Sequence, residues 1–151
     1  MPRPSTPTPD YLESAPLSDS VRALARRGEV ARYKKGAVLI QEGSYGDMLY
    51  VILEGRLRAY GSHMVNEREI THGTYGPGEY VGEMSLDGGP RAASVMAVET
   101  TVCSMVTRQT LQTHIQEHPD FAFDLLSKVI RRARQATMSA KMMALNDVYG
   151  R

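Results

Sequence analysis

The sequence predicts a mainly β fold with helices (α+β): a small antiparallel sandwich or barrel with a short helix before it and a long helix after it. Three observations carry this. Twelve of the thirteen glycines lie between Gly28 and Gly89, and none occurs from Pro90 to Tyr149. Five of the eight prolines fall within the first sixteen residues. The middle of the chain alternates short apolar runs with turn residues, whereas the last thirty residues follow helical spacing.

Residues 1–16 (MPRPSTPTPDYLESAP) are rich in Pro, Ser and Thr and read as an extended or disordered leader. Leu17, Val21, Leu24 and Ala25 recur at helical spacing, Ser18 or Asp19 caps the start and Gly28 the end, so a helix is predicted over 18–27. Strands follow at Val38-Leu39-Ile40, at 48–53, and where Leu57, Ala59 and Gly61 alternate with Arg56, Arg58 and Tyr60. Further strands are predicted near 68–75, 79–82, 92–99 and 101–107, separated by turns such as Gly76-Pro77-Gly78 and Gly88-Gly89-Pro90. Seven or eight strands at this spacing suit a sandwich or barrel. A helix is predicted over 108–116. Pro119 opens a second one that runs unbroken to about Val148. Its Leu126, Ile130, Ala133, Thr137, Ala140 and Ala144 follow steps of four and three, a coiled-coil seam of mostly small residues. About thirty residues of helix, roughly 45 Å, overshoot so small a domain, so a second copy of the chain is the expected cover for the seam.

Composition bounds the function. The 151 residues carry 18 basic and 17 acidic side chains, 42% apolar and 23% charged residues, and a formal net charge of +1. No global charge draws the chain to nucleic acid or an anionic membrane. The longest apolar run, 48–53, is far short of a membrane span, and the first thirty residues lack a secretory signal, which makes the cytoplasm the expected compartment. The single cysteine, Cys103, excludes an internal disulfide and a cysteine-rich metal site within this chain; it lies in an apolar strand and reads as a small buried hydrophobe.

The chemistry concentrates in Gly82-Glu83-Met84-Ser85-Leu86-Asp87-Gly88-Gly89-Pro90-Arg91-Ala92-Ala93-Ser94-Val95. Glycines allow close backbone approach to a ligand, N–H groups at the start of a short helix favour an anion, and Arg91 can clamp it with a planar fork. Glu83, an acceptor when ionised, suits hydroxyl groups. An anion clamp and a hydroxyl acceptor a few residues apart match a sugar phosphate. A structural ion pair between Glu83 and Arg91 is the alternative use of the two charges.

This segment resembles the phosphate-binding cassette of cyclic nucleotide-binding domains. Two further blocks fall in the family's order: Glu42-Gly43-Ser44-Tyr45-Gly46-Asp47-Met48-Leu49-Tyr50-Val51-Ile52-Leu53-Glu54-Gly55, and the turn Gly76-Pro77-Gly78-Glu79. The tail is similar to the branch of bacterial cyclic-AMP receptor protein and fumarate-nitrate regulator transcription factors. The resemblance covers about 17–148 and implies an antiparallel β-roll, a jelly-roll-like double-stranded barrel, over 17–117. It also implies a dimerisation helix over 118–148 and, from 149–151, the start of a hinge to a helix-turn-helix domain absent from this chain. The implied function is a non-enzymatic, dimeric sensor that binds a cyclic nucleotide, cyclic AMP being expected, and touches DNA only through that absent domain.

Residue by residue, the resemblance implies that Glu83 binds the ribose 2′-hydroxyl, with Gly82 beside it and Met84 and Ser85 following in the cassette. Arg91 holds the cyclic phosphate, Ala92 and Ala93 offer backbone N–H groups, Ser94 offers a hydroxyl, and Arg132 approaches the ligand from the long helix. Thr137 reaches the base from the second subunit. Two positions depart from the family: Ala136 stands where the receptor branch has a threonine facing the adenine amino group, and His72 where an apolar residue is usual. The alternative is a dimerisation or sensor domain that uses another effector or none; the sensor of a kinase or channel is a further one.

Other clusters read blandly. Arg132 lies in a basic run with Lys128, Arg131, Arg134 and Lys141, by pattern a solvated helix face. His114 and His118 have metal-ligand spacing but no third ligand nearby, and read as surface histidines. His72 or His63 could serve a haem, yet nothing in the spacing favours either. Met138, Met142 and Met143 read as packing residues. No nucleophile–base pair stands out, which argues against an enzyme.

Overall fold

The computed structural model describes residues 10–62 and 69–149. Eight strands form two four-stranded antiparallel sheets, β1-β8-β3-β6 and β2-β7-β4-β5. The strands are β1 Glu29–Tyr33, β2 Val38–Ile40, β3 Leu49–Glu54, β4 Leu57–Ser62, β5 Glu69–Tyr75, β6 Tyr80–Val81, β7 Ser94–Ala97 and β8 Thr101–Val106. Four α-helices frame them: α1 Tyr11–Ser14, α2 Asp19–Arg26, α3 Arg108–Glu117 and α4 Asp120–Tyr149. A one-turn 3₁₀ helix, Glu83–Ser85, interrupts the strands.

Strand β3 explains the layering. Leu49, Val51 and Leu53 point into one apolar core with Leu24, Tyr80, Leu111 and Phe121, beneath the helices. Tyr50 and Ile52 point into a second core with Leu57, Val81, Val95 and Cys103, between the sheets. A strand buried on both faces reads as a continuous apolar run, which is how 48–53 reads in the sequence.

Helix α2 starts where expected. The Ser18 hydroxyl accepts from the Val21 N–H, Asp19 stands in the first turn, and Val21, Leu24 and Ala25 are buried. Thr107 caps α3 by accepting from the Thr110 N–H at 3.1 Å. Two elements depart from the sequence reading. Part of the expected leader is ordered: Tyr11–Ser14 form a helical turn capped by Asp10, and Ala15 is buried. The reason is Arg22, whose guanidinium donates to the carbonyls of Leu12, Glu13, Ala15 and Leu17 and ties the turn to α2. Strand β1 has no counterpart in the reading. Its Glu29 and Arg32 disguise it, because it is an edge strand whose one partner is β8.

The thirty-residue α4 packs only its first half on the roll. Phe121 is fully buried, Tyr80 Oη donates to Asp124 at 2.7 Å, and the Lys128 ammonium lies 5.0 Å from the Tyr80 ring centre. The seam residues Leu126, Ile130, Ala133, Thr137, Ala140 and Ala144 are all exposed in the single chain. Met138 and Met142 are exposed too, so they do not pack within this chain. The surface reading of the histidines needs correction: His118 is exposed, but His114 is wholly buried beside Phe121, with its Nε2 3.1 Å from the Ser20 carbonyl. No helix among the described residues is long and apolar enough to cross a membrane.

Candidate ligand-binding site

The cassette folds around a buried arginine. Gly82 adopts φ 106°, and a Cβ there would lie 2.6 Å from the Met48 carbonyl oxygen and 3.1 Å from Arg91 Nη1, so only glycine fits. Its carbonyl accepts from Arg91 Nη1 at 3.1 Å, and the Met48 carbonyl from Nη2 at 3.0 Å. Gly46 lets the guanidinium lie against the backbone of the preceding loop. The backbone of Arg91 is pinned as well: its N–H donates to the Ser44 carbonyl, and its own carbonyl accepts from the Gly43 N–H. Arg91 is 7% exposed. Burial pulls its proton affinity below the usual guanidinium value, and Tyr50 and Asp47 partly restore it.

Glu83 is buried, and its partner is Arg132 of α4, not Arg91. Arg132 Nη1 donates to Glu83 Oε1, Nη2 donates to the Tyr80 carbonyl at 2.8 Å, and the guanidinium lies 4.6 Å from the Tyr75 ring centre. Desolvation lowers its proton affinity too, opposed by Tyr75, Tyr80 and Glu79. The solvated-face reading of Arg132 is therefore corrected, and so is the alternative of an ion pair between Glu83 and Arg91, because Glu83 pairs with Arg132. The second carboxylate oxygen, Glu83 Oε2, is buried and has no hydrogen-bond donor.

Arg91 and Arg132 border a cavity of about 470 Å³ between the second sheet, the cassette and α4. That lies within the range of small-ligand sites, roughly 300–1,000 Å³. Gly82, Ser85, Arg91, Ala92, Ala93, Arg132 and His72 all line it, as the sequence reading expects of a binding site. Ser85 Oγ donates inward to the Gly82 carbonyl at 3.2 Å. Three expected residues are not in its lining. The Glu83 side chain is wholly buried on Arg132. The Ser94 hydroxyl is buried and accepts the Glu42 N–H at 2.9 Å, so it braces β7 against the loop after β2. Thr137 is exposed, and its hydroxyl donates back to the Ala133 carbonyl at 3.1 Å. The side chain of Met84, and His63 entirely, lie outside the described residues.

The reading missed Tyr75, Thr71, Gln135 and the apolar wall of Ile40, Ala59, Ile70, Val81, Val95 and Ala140. Gln135, Ala136 and Ala140 follow Arg132 at three, four and eight residues, one helix face, and that spacing was the available signal. Ala136 lines the cavity and brings no polar group. His72 is exposed and shares the cavity mouth with an outer groove that includes Lys128 and Arg131. Among the described residues, no three His, Cys, Asp or Glu side chains gather as a metal site. Cys103 is buried, and desolvation pushes its thiol up to about 12.

A double-sheet roll whose cavity is bordered by a buried arginine and walled by a long helix fits a domain that binds a small molecule. The chain belongs to the cyclic nucleotide-binding domain family, whose model matches residues 30–118. It is 32% identical over 120 residues to the cyclic AMP receptor protein of Thermus thermophilus, covering 79% of this chain and 55% of that protein. It is 28% identical over 133 residues to a CRP-like cAMP-activated global transcriptional regulator of Mycobacterium tuberculosis, covering 87% and 59%. The crystal structure of the Thermus thermophilus catabolite activator protein superposes with a TM-score of 0.75 at 29% identity, covering 89% of this chain and 63% of that one. The chain thus spans less than two thirds of the length of these relatives, which are regulators.

Proposed function

We propose that the cavity binds a cyclic nucleotide, with cyclic AMP as the effector, and that the chain is the non-catalytic sensor part of a dimeric, cytoplasmic transcription regulator. The observation that carries this reading is Arg91, a buried guanidinium at the cavity wall. It is already fixed by the Gly82 and Met48 carbonyls and has further N–H groups for the cyclic phosphate. Glu83, buried behind the cassette on Arg132 with one oxygen lacking a donor, would meet a sugar hydroxyl once the cassette adjusts around the ligand. Charge-assisted hydrogen bonds contribute roughly 1.5–3 kcal/mol each, so three or four support micromolar binding, about −8 kcal/mol, after ordering costs. Because the cavity is walled by both the second sheet and α4, a ligand touching both would bias the position of α4. In the whole protein, that shift would reposition DNA-binding domains.

Thermal melting with cyclic AMP and cyclic GMP tests this. Ligand at 100 times its dissociation constant should add about 2.7 kcal/mol of stability. Arg91→Ala should abolish the stabilisation, and no shift at millimolar nucleotide overturns the proposal. The alanine at 136 favours a second reading, in which the same domain answers to a different effector. Binding of another cyclic nucleotide in preference to cyclic AMP would support it.

A further inference from the structure

Cavity lining sorts by height along α4. Arg132 and Tyr75 stack at one level, next to Glu83 and the cassette. Moving along α4 away from that level brings Gln135, Ala136 and Ala140; moving back along β5 brings His72, Thr71 and Ile70. The rest of this end is apolar, with Ile40, Ala59 and Val95 from the other strands. A sugar phosphate held at Arg91 and the cassette would have its base toward this end. On the α4 wall there, only Gln135 carries a polar side chain beyond Arg132. Both Gln135 and His72 also line the outer groove, which puts them at the mouth.

We propose that Gln135 reads the base, selecting a 6-aminopurine through paired contacts of its amide. The inference rests on the cyclic-nucleotide reading and deepens it. A glutamine amide offers one acceptor and one donor side by side. Adenine offers the matching pair, its N6 amino group and an adjacent ring nitrogen, and this bidentate match is how glutamine recognises adenine elsewhere. Ala136 can supply neither contact, so discrimination falls to the residue before it on the same helix. His72 supplies a further polar contact from the opposite wall.

Calorimetric titration with cyclic AMP and with the cyclic monophosphate of unsubstituted purine, which lacks the amino group, tests this. The wild-type chain should prefer cyclic AMP by about tenfold, within the range that one bidentate contact provides. Gln135→Leu should weaken cyclic AMP about tenfold and erase the preference, leaving the unsubstituted purine nucleotide within about twofold. Gln135→Glu, which keeps the acceptor and loses the donor, should fall between. The position is exposed, so melting of both variants should match wild type without ligand. A preference that survives Gln135→Leu, or equal weakening of both nucleotides, overturns the inference while leaving cyclic-nucleotide binding intact. Failure of the wild type to bind either nucleotide overturns the underlying reading instead.

Discussion

Removing the Arg132 guanidinium would strand the Glu83 carboxylate in the interior with one oxygen unpartnered and the other newly so. Breaking a buried pair from one side costs about 3 kcal/mol or more, because the surviving charge stays desolvated. Arg132→Met should lower unfolding free energy by about 3 kcal/mol in urea, and adding Glu83→Gln should recover part of that loss. An equal or larger loss in the double variant would mean that Arg132 contributes through Tyr75 and the Tyr80 carbonyl instead. This pairing was hidden in the sequence. Glu83 and Arg132 stand 49 residues apart, and the basic run around Arg132 reads as a solvated face. Arg91, by contrast, was legible, because it follows the glycine loop of the cassette directly in sequence, although Gly46, which also makes room for it, stands far along the chain.

At the scale of elements, most strands were legible from turn signals and apolar runs, and the charged edge strand β1 was not. Strand β3 announces itself because five successive residues are buried, whereas β1 carries charges at an edge. The ordered turn at Tyr11–Ser14 depends on one long-range side chain, Arg22, which no local pattern reveals. Helix α4 was legible in extent but not in use. Its outward stripe of Leu126 and Ile130, 55% and 51% exposed, fits the proposed pairing of two chains along the seam. Ile130→Asp should convert a dimer to monomer in sedimentation while leaving the melting of β-roll residues nearly unchanged. A variant that stays dimeric places the interface off this seam.

For the whole molecule, pH acts through the helical core. His114 is buried with Nδ1 unpartnered, and burial first, then the charges of His118 and Arg27, hold its pKa below the usual imidazole value; the Ser20 carbonyl and Glu117 oppose this. The unfolded chain takes up a proton near pH 6.5 that the folded chain refuses until lower pH. Stability from this group is therefore present in full above about pH 6.5 and is lost as pH falls toward the folded value. Melting temperature should drop on acidification from pH 7.5 to 5.5, and His114→Gln should flatten that slope. An unchanged slope would assign the acid sensitivity to other groups.

The placement of Arg132 within α4 has a mechanical consequence. Twelve residues of the helix precede it and anchor on the roll; seventeen follow it to Tyr149, an arm of about 25 Å at 1.5 Å per residue. With the guanidinium as fulcrum, each degree of helix tilt sweeps the far end by about 0.4 Å on that geometry. A tilt of a few degrees about that contact thus moves the far end of the helix by about one to two ångströms.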